Sequence, residues 1–234
     1  MSIVLVHGMG GTERTWEEVA PLLETAGHAV VSVNNELKTL SGDVASTVQA
    51  IESLEPPVVL AGHSYGGAVI TNAGNHDAVA ALVYVAAFAP DEGELLGEVE
   101  AGSKDSVLNS ALVPHQYPTG TDGETALEFT IDPSKARDAF AGDVSDAQAN
   151  IIATIQRPVS EKAFSEPTGV PAWKTLPSWA VVATGDRAAG TDVVRAHAER
   201  AGAVITEVDG SHVIMVSQPQ VVVDVIETAI AKVG

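Results

Sequence analysis

Val58-Val59-Leu60-Ala61 runs directly into Gly62-His63-Ser64-Tyr65-Gly66, and Ala68-Val69-Ile70 continue beyond Gly67. The opening run is short, apolar and β-branched, the form of a buried strand, and the closing run has helical character. Between them stands the pattern G-x-S-x-G. Strand, sharp turn and helix in that order hold a serine in a strained backbone conformation. Its hydroxyl is then exposed at the carboxyl edge of a sheet, facing the helix N-terminus. Glycine is needed at 62 and 66 because neighbouring chains approach too closely for a side chain. Ser64 is therefore the candidate nucleophile.

Outward from this turn the same alternation repeats. Strand-like runs stand at Ile3–Val6, Ala29–Val33, Val58–Ala61 and Val79–Val85. Helical patterns separate them. Thr15-Trp16-Glu17-Glu18 has the form of a capping box, with Val19, Leu22, Leu23 and Ala26 in helical period and Gly27 as a stop. Val44, Val48, Ile51 and Leu54 repeat the period before Pro56-Pro57. The strand runs are continuously apolar, as in parallel strands covered on both faces. The alternation resumes late: strands at Trp179–Thr184 and Ala203–Val208, helices at Val193–Ala201 and Val221–Val233. The expected fold is α/β, a mostly parallel six-stranded sheet with helices on both faces.

From about Pro90 to Pro177 the texture changes. Prolines are frequent, no β-branched strand run stands out, and helices are expected at Ser134–Phe140 and Ser145–Ile155. We read residues 90–177 as an inserted helical cap on a core of residues 1–89 and 178–234. The apolar side chains of this stretch need something to pack against.

Composition narrows the chemistry. The 234 residues suffice for one domain with a substantial core. Lys and Arg number 12 against 31 Asp and Glu, a net charge of −19, so nucleic acid and anionic membranes are not expected partners. There is no cysteine, which excludes disulfides, thiolate metal sites and a thiol nucleophile. No run approaches the length of a membrane span, and no basic region precedes the first apolar run, so a cytoplasmic location is expected.

A serine hydroxyl attacks only when a base takes its proton. Seven histidines compete. His28 reads as solvent-facing, His76 as a helix cap, His115 as part of the cap and His197 as one of a polar helix face. His63 adjoins Ser64 and is expected to point away from it. His212 lies in Asp209-Gly210-Ser211-His212, a turn after the last strand, where sites of parallel sheets form. The acid that orients this imidazole is expected at Asp186, in Thr184-Gly185-Asp186-Arg187, 26 residues earlier and after a neighbouring strand. Asp91 is the rival, and Asp209 is too near His212 in sequence. Two oxyanion donors are required. The backbone N–H of Tyr65 supplies one, and that of Met9, in the loop His7-Gly8-Met9-Gly10-Gly11, the other. A G-x-G-x-x-G dinucleotide loop would need glycine where Glu13 stands.

Taken together, Leu5-Val6-His7-Gly8, Pro57 through Gly67, Ala81 through Phe88, Gln156-Arg157-Pro158, Pro177-Ser178-Trp179 and Gly210 through Pro219 resemble bacterial α/β-hydrolases. These are similar to the plant methyl-ester esterases and hydroxynitrile lyases. The resemblance covers nearly the whole chain, most weakly in the cap, and implies the compact α/β-hydrolase fold. It supports Ser64, Asp186 and His212 as a triad, and hydrolysis of a small-molecule ester without metal or cofactor. Related readings keep the triad but change the reaction: C–C bond hydrolysis, lactone opening, lyase chemistry, or a receptor with a hydrolase pocket. Two departures stand out. The lyases place a lysine after the catalytic histidine, where this chain has Val213. Relatives often carry proline shortly after the acid, where Ala188-Ala189-Gly190 stands, which predicts a more mobile acid loop. The expected substrate pocket is lined by Leu108, Leu112, Phe140 and Trp173.

Overall fold

The computed structural model describes residues 1–121 and 123–234. Its strands are β1 (Ser2–Val6), β2 (Ala29–Val33), β3 (Val58–His63), β4 (Val79–Val85), β5 (Leu112–Pro118), β6 (Thr125–Ile131), β7 (Val159–Ser160), β8 (Ser178–Ala183) and β9 (Val204–Val208). Its helices are α1 (Ala20–Thr25), α2 (Leu40–Glu52), α3 (Gly66–Ala73), α4 (Leu96–Ala101), α5 (Leu108–Ala111), α6 (Pro133–Phe140), α7 (Asp146–Ile155), α8 (Glu161–Ser165), α9 (Thr191–Arg200), α10 (Ile214–Ser217) and α11 (Pro219–Val233).

Six strands form one parallel sheet in the order β2-β1-β3-β4-β8-β9. The continuous apolar runs follow from burial on both faces. Along β1, Ile3 and Leu5 pack on one side with Trp16, Val59 and Ile226, while Val4 and Val6 pack on the other with Leu60, Tyr65 and Ile70. Register aligns Val6 with Gly62, His63 with Val85 and Ala183 with Val208. The loops after β1, β3, β8 and β9 therefore leave from one edge of the sheet. Among the described residues no helix is long and apolar enough to cross a membrane.

Two local expectations are corrected. Thr15 and Glu18 form no capping box. Thr12 instead accepts a hydrogen bond from the Arg14 N–H and caps a 3-10 turn over Glu13–Trp16, and the α-helix begins only at Ala20. The reason is Pro21, which lacks an N–H and is tolerated only in a helix's first turn. Thr15 lies under the loop after β1 instead: a Cβ on Gly11 would sit 2.6 Å from its hydroxyl.

The second correction concerns residues 90–177, which are not wholly helical. The expected helices form as α6 and α7, the latter closed by a true capping box between Ser145 and Gln148. Beside them β5, β6 and β7 build an antiparallel sheet in that order. Pro114 and Pro118 hid β5 from the sequence pattern. They are tolerated because β5 pairs only with β6 and is an edge strand.

Candidate active site

Ser64 sits between β3 and α3 at φ +54, a left-handed conformation that a residue with a side chain rarely adopts. The close approach is measurable. A Cβ on Gly62 would lie 2.5 Å from the Gly66 carbonyl oxygen, and one on Gly66 would lie 2.4 Å from that of Val6. Both are impossible contacts, so glycine at these positions is what lets the turn close against β1.

His212 follows β9 in a turn and is wholly buried. Its Nδ1 lies 2.8 Å from Asp186 Oδ2. A carboxylate oxygen can only accept, so Nδ1 carries the proton and Nε2 keeps its lone pair. Among the described residues that Nε2 is buried without a hydrogen-bond partner, Ser64 Oγ included. The other Asp186 oxygen accepts from the N–H groups of Ala188 (2.9 Å) and Ala189 (3.0 Å). The acid loop is thus tied rather than slack. The Val107 N–H also reaches the Arg187 carbonyl and Ser106 Oγ the Ala188 carbonyl. Ala188 and Ala189 supply the two donors, which a proline at either position could not. Asp91, the rival acid, lies elsewhere, paired with Lys174 Nζ at 2.7 Å. That lysine holds its carboxyl below the usual range.

The loop after β1 is oriented by His7. The Asn35 N–H donates to His7 Nε2 (3.1 Å), so the ring's proton is on Nδ1, which donates to the Gly8 carbonyl (2.9 Å). The Gly11 N–H reaches the same oxygen. In a trans peptide the N–H points opposite the C=O. Holding the Gly8 carbonyl therefore aims the Met9 N–H the other way. Among the described residues neither the Met9 nor the Tyr65 N–H has a hydrogen-bond partner. Burial pulls His7 down to about 4, so it stays neutral. The Tyr65 side chain points away from this loop, its hydroxyl donating to buried Asp43 at 2.8 Å.

His63 corrects an expectation. It does not turn away from the site: its Nε2 lies 3.0 Å from the His212 carbonyl and the ring centroids are 4.5 Å apart. That carbonyl accepts the Nε2–H, and burial holds His63 well below its ordinary range. Its adjacency to Ser64 carried no signal for this role. His28 is corrected too, being half-buried and 2.9 Å from Glu227. His197 is buried in the core, with Nδ1 accepting the Ala89 N–H.

Two cavities flank Met9. One, about 300 Å³, is lined by Gly8, His63, Phe140, Ala153 and Val213 among others. The other, about 350 Å³, includes Leu95, Leu108, Leu112, Phe129 and Phe164. Of the expected pocket residues, Leu108 and Leu112 line the second and Phe140 the first. Phe140 also stands edge-on to His212, centroids 5.3 Å apart. Trp173 lines neither. Its indole N–H donates to the Pro90 carbonyl at 3.1 Å, and Lys174 and Arg200 lie over its ring. Sequence reasoning missed Ile152 and Ala153 of α7 as cavity walls, because helical periodicity marks an apolar face without saying what it faces.

Comparison with known proteins places this geometry. A family model described as the alpha/beta hydrolase family matches residues 3–225. Salicylic acid-binding protein 2 of Nicotiana tabacum is 33% identical over 145 residues, covering 56% of this chain and 50% of that protein. A carbendazim hydrolyzing esterase of Nocardioides sp. is 34% identical over 109 residues, 41% of this chain and 45% of that protein. The chain thus spans about half the length of these curated relatives. Among solved structures, polyneuridine aldehyde esterase superposes with a TM-score of 0.80 at 21% identity, covering 97% of this chain and 98% of that one. A methylesterase of Arabidopsis gives 0.80 at 19% identity, covering 99% of both. Sheet order, the turn at Ser64 and a family match over nearly the full length agree: this chain belongs to the alpha/beta hydrolase family.

Proposed function

We propose that the chain is a carboxylesterase-type serine hydrolase that cleaves esters of small apolar molecules through an acyl-enzyme on Ser64. The observation that carries the reading is the relay at one sheet edge. Asp186 fixes the proton on His212 Nδ1, and the free Nε2 lone pair stands ready for the Ser64 proton. A hydrogen bond from Ser64 Oγ to His212 Nε2 is of a kind that forms with substrate in place. The esterase names among the relatives point the same way.

In this mechanism Ser64 Oγ attacks the ester carbonyl carbon while its proton passes to His212 Nε2. The N–H groups of Met9 and Tyr65 hold the oxyanion. On collapse the C–O bond to the alcohol breaks, and His212 returns its proton to the leaving oxygen. Water then repeats the attack, releasing the acid and restoring Ser64. Residues 90–177 serve as the cap over the core of residues 1–89 and 178–234. They supply Leu108, Leu112 and Phe140 to the substrate's surroundings.

The test is turnover of short and medium-chain p-nitrophenyl esters by wild type and Ser64→Ala, with intact-mass detection of a fluorophosphonate adduct. Wild type should turn over and take one adduct. Ser64→Ala should take none and lose several orders of magnitude in rate. Equal turnover by both proteins would overturn the reading.

A further inference from the structure

We propose that Arg157, just beyond α7, is a positioning residue for the loop after β1: through the Asn35 backbone it holds His7, and through His7 the Met9 N–H. This rests on the serine-ester reading above. Arg157 acts through these residues and not on substrate.

The chain of contacts is continuous. A guanidinium nitrogen of Arg157 donates to the Asn34 side-chain oxygen at 2.6 Å and to the Asn35 carbonyl at 2.8 Å. The Asn35 N–H donates to His7 Nε2, and His7 Nδ1 donates to the Gly8 carbonyl. That carbonyl belongs to the peptide whose N–H is on Met9. Asn35 is wholly buried, and its side-chain amide has no partner among the described residues. Its orientation is therefore set by its backbone bonds. The Arg157 N–H meets the same loop a second time, donating to the Gly10 carbonyl at 3.0 Å. Met9 thus stands between two carbonyls that are both tied down.

The loop needs such a hold. Gly8, Gly10 and Gly11 surround Met9, and glycine loses more freedom on ordering than any other residue. Arg157 itself is firmly placed. α7 ends at Ile155, and Pro158 turns residue 157 away from helical conformation. The Gln156 side chain closes the end of β6, bonding both backbone groups of Ile131 at 2.6 and 2.7 Å. The Ser160 N–H donates to the Leu37 carbonyl at 2.8 Å. Residues 156–160 are thus fastened along residues 34–37. The Arg157 guanidinium is spent on uncharged oxygens, in a chain with 31 acidic residues. Hydrogen bonds from a cation are the stronger kind. Burial first, and the Arg157 charge with it, also keep His7 neutral. A protonated ring would turn Nε2 from acceptor to donor and break the link to Asn35.

The experiment compares wild type, Arg157→Ala, His7→Ala and the double variant on p-nitrophenyl butyrate. Rates are normalised to the fraction of protein that takes a fluorophosphonate adduct. Arg157→Ala should lower kcat about tenfold and leave KM within about twofold, because the Met9 N–H is misaimed rather than lost. In the His7→Ala background the same change should cost less than about twofold, since the link is already cut. The NMR signal of the His7 Nδ1–H should exchange with water faster in Arg157→Ala than in wild type. Arg157→Met replaces Arg157→Ala if that protein does not fold. An unchanged kcat, a rise in KM alone, equal losses in both backgrounds or an unchanged His7 signal would each overturn the proposal and leave the esterase reading intact. No turnover by wild type on any ester would overturn the esterase reading, and the His7 signal would then decide alone whether Arg157 holds the loop.

Discussion

Asp186 Oδ2 stands 2.8 Å from His212 Nδ1, with both side chains fully enclosed. In the proposed relay an enclosed carboxylate there both fixes the ring tautomer and stabilises the imidazolium that forms. An asparagine is the same shape but can present an N–H to Nδ1, moving the ring's proton to Nε2. Asp186→Asn should keep the fold and lower ester kcat by about four orders of magnitude. A loss below tenfold, with unchanged Tm, would take Asp186 out of the proposed relay.

The Ala188 N–H bond to Asp186 Oδ1 is charge-assisted. Ala188→Pro removes it and should cost about 1.5–3 kcal/mol, read as a lower Tm together with a lower kcat. Ala188→Gly keeps the N–H and should retain most of both. Equal behaviour of the two variants in thermal melting would show that the bond carries nothing.

His7 Nδ1 donates to the Gly8 carbonyl, and in the proposed mechanism this aims the Met9 N–H at the oxyanion. His7→Ala releases that oxygen and lets the Met9 N–H drift from its aim. Ester kcat should fall roughly 10–100-fold, less than or equal to loss of a whole oxyanion donor, with KM nearly unchanged. A rise in KM at constant kcat would mean that the residue shapes the cavity instead.

Acid should destabilise the fold through buried histidines. His7 and His197 are each pulled from 6.5 to about 4 by burial. Below pH 6.5 the unfolded chain takes up protons at these sites and the native chain does not. Stability is therefore full above about 6.5 and is lost as pH falls toward about 4, on the order of 2–3 kcal/mol for each group. His197→Asn keeps an acceptor for the Ala89 N–H and cannot titrate. Its Tm should fall less steeply than wild type's across that window, and an identical slope would count against the assignment.

The sheet was legible because its strands are buried on both faces and so read as unbroken apolar runs, and because Ser64 stands where one such run meets a helix. The nearness of Asp186 to His212 followed from two adjacent parallel strands ending at one edge. What was hidden has physical reasons. Pro114 and Pro118 disguise β5, which escapes their penalty only by being an edge. Pro21 moves the first helix start from Thr15 to Ala20. Trp173 has the composition of a pocket wall, yet its N–H is spent on the Pro90 carbonyl. His63 and His7 act through backbone carbonyls, contacts for which sequence spacing has no signature.

β4 is flanked in the sheet by β8, and the chain travels from Val85 to Ser178 before that neighbour exists. During synthesis on the ribosome, the turn bearing Ser64 is complete while the apolar margin of β4 is still open. Asp186 and His212 have yet to be made. The hydroxyl is therefore present long before the base that would arm it, and a ribosome stalled anywhere in the intervening stretch holds an inert product with a sticky flank. In the proposed mechanism the nascent chain becomes reactive only once Asp186 and His212 have emerged and docked beside the turn bearing Ser64, so activity itself reports that these distant segments have come together.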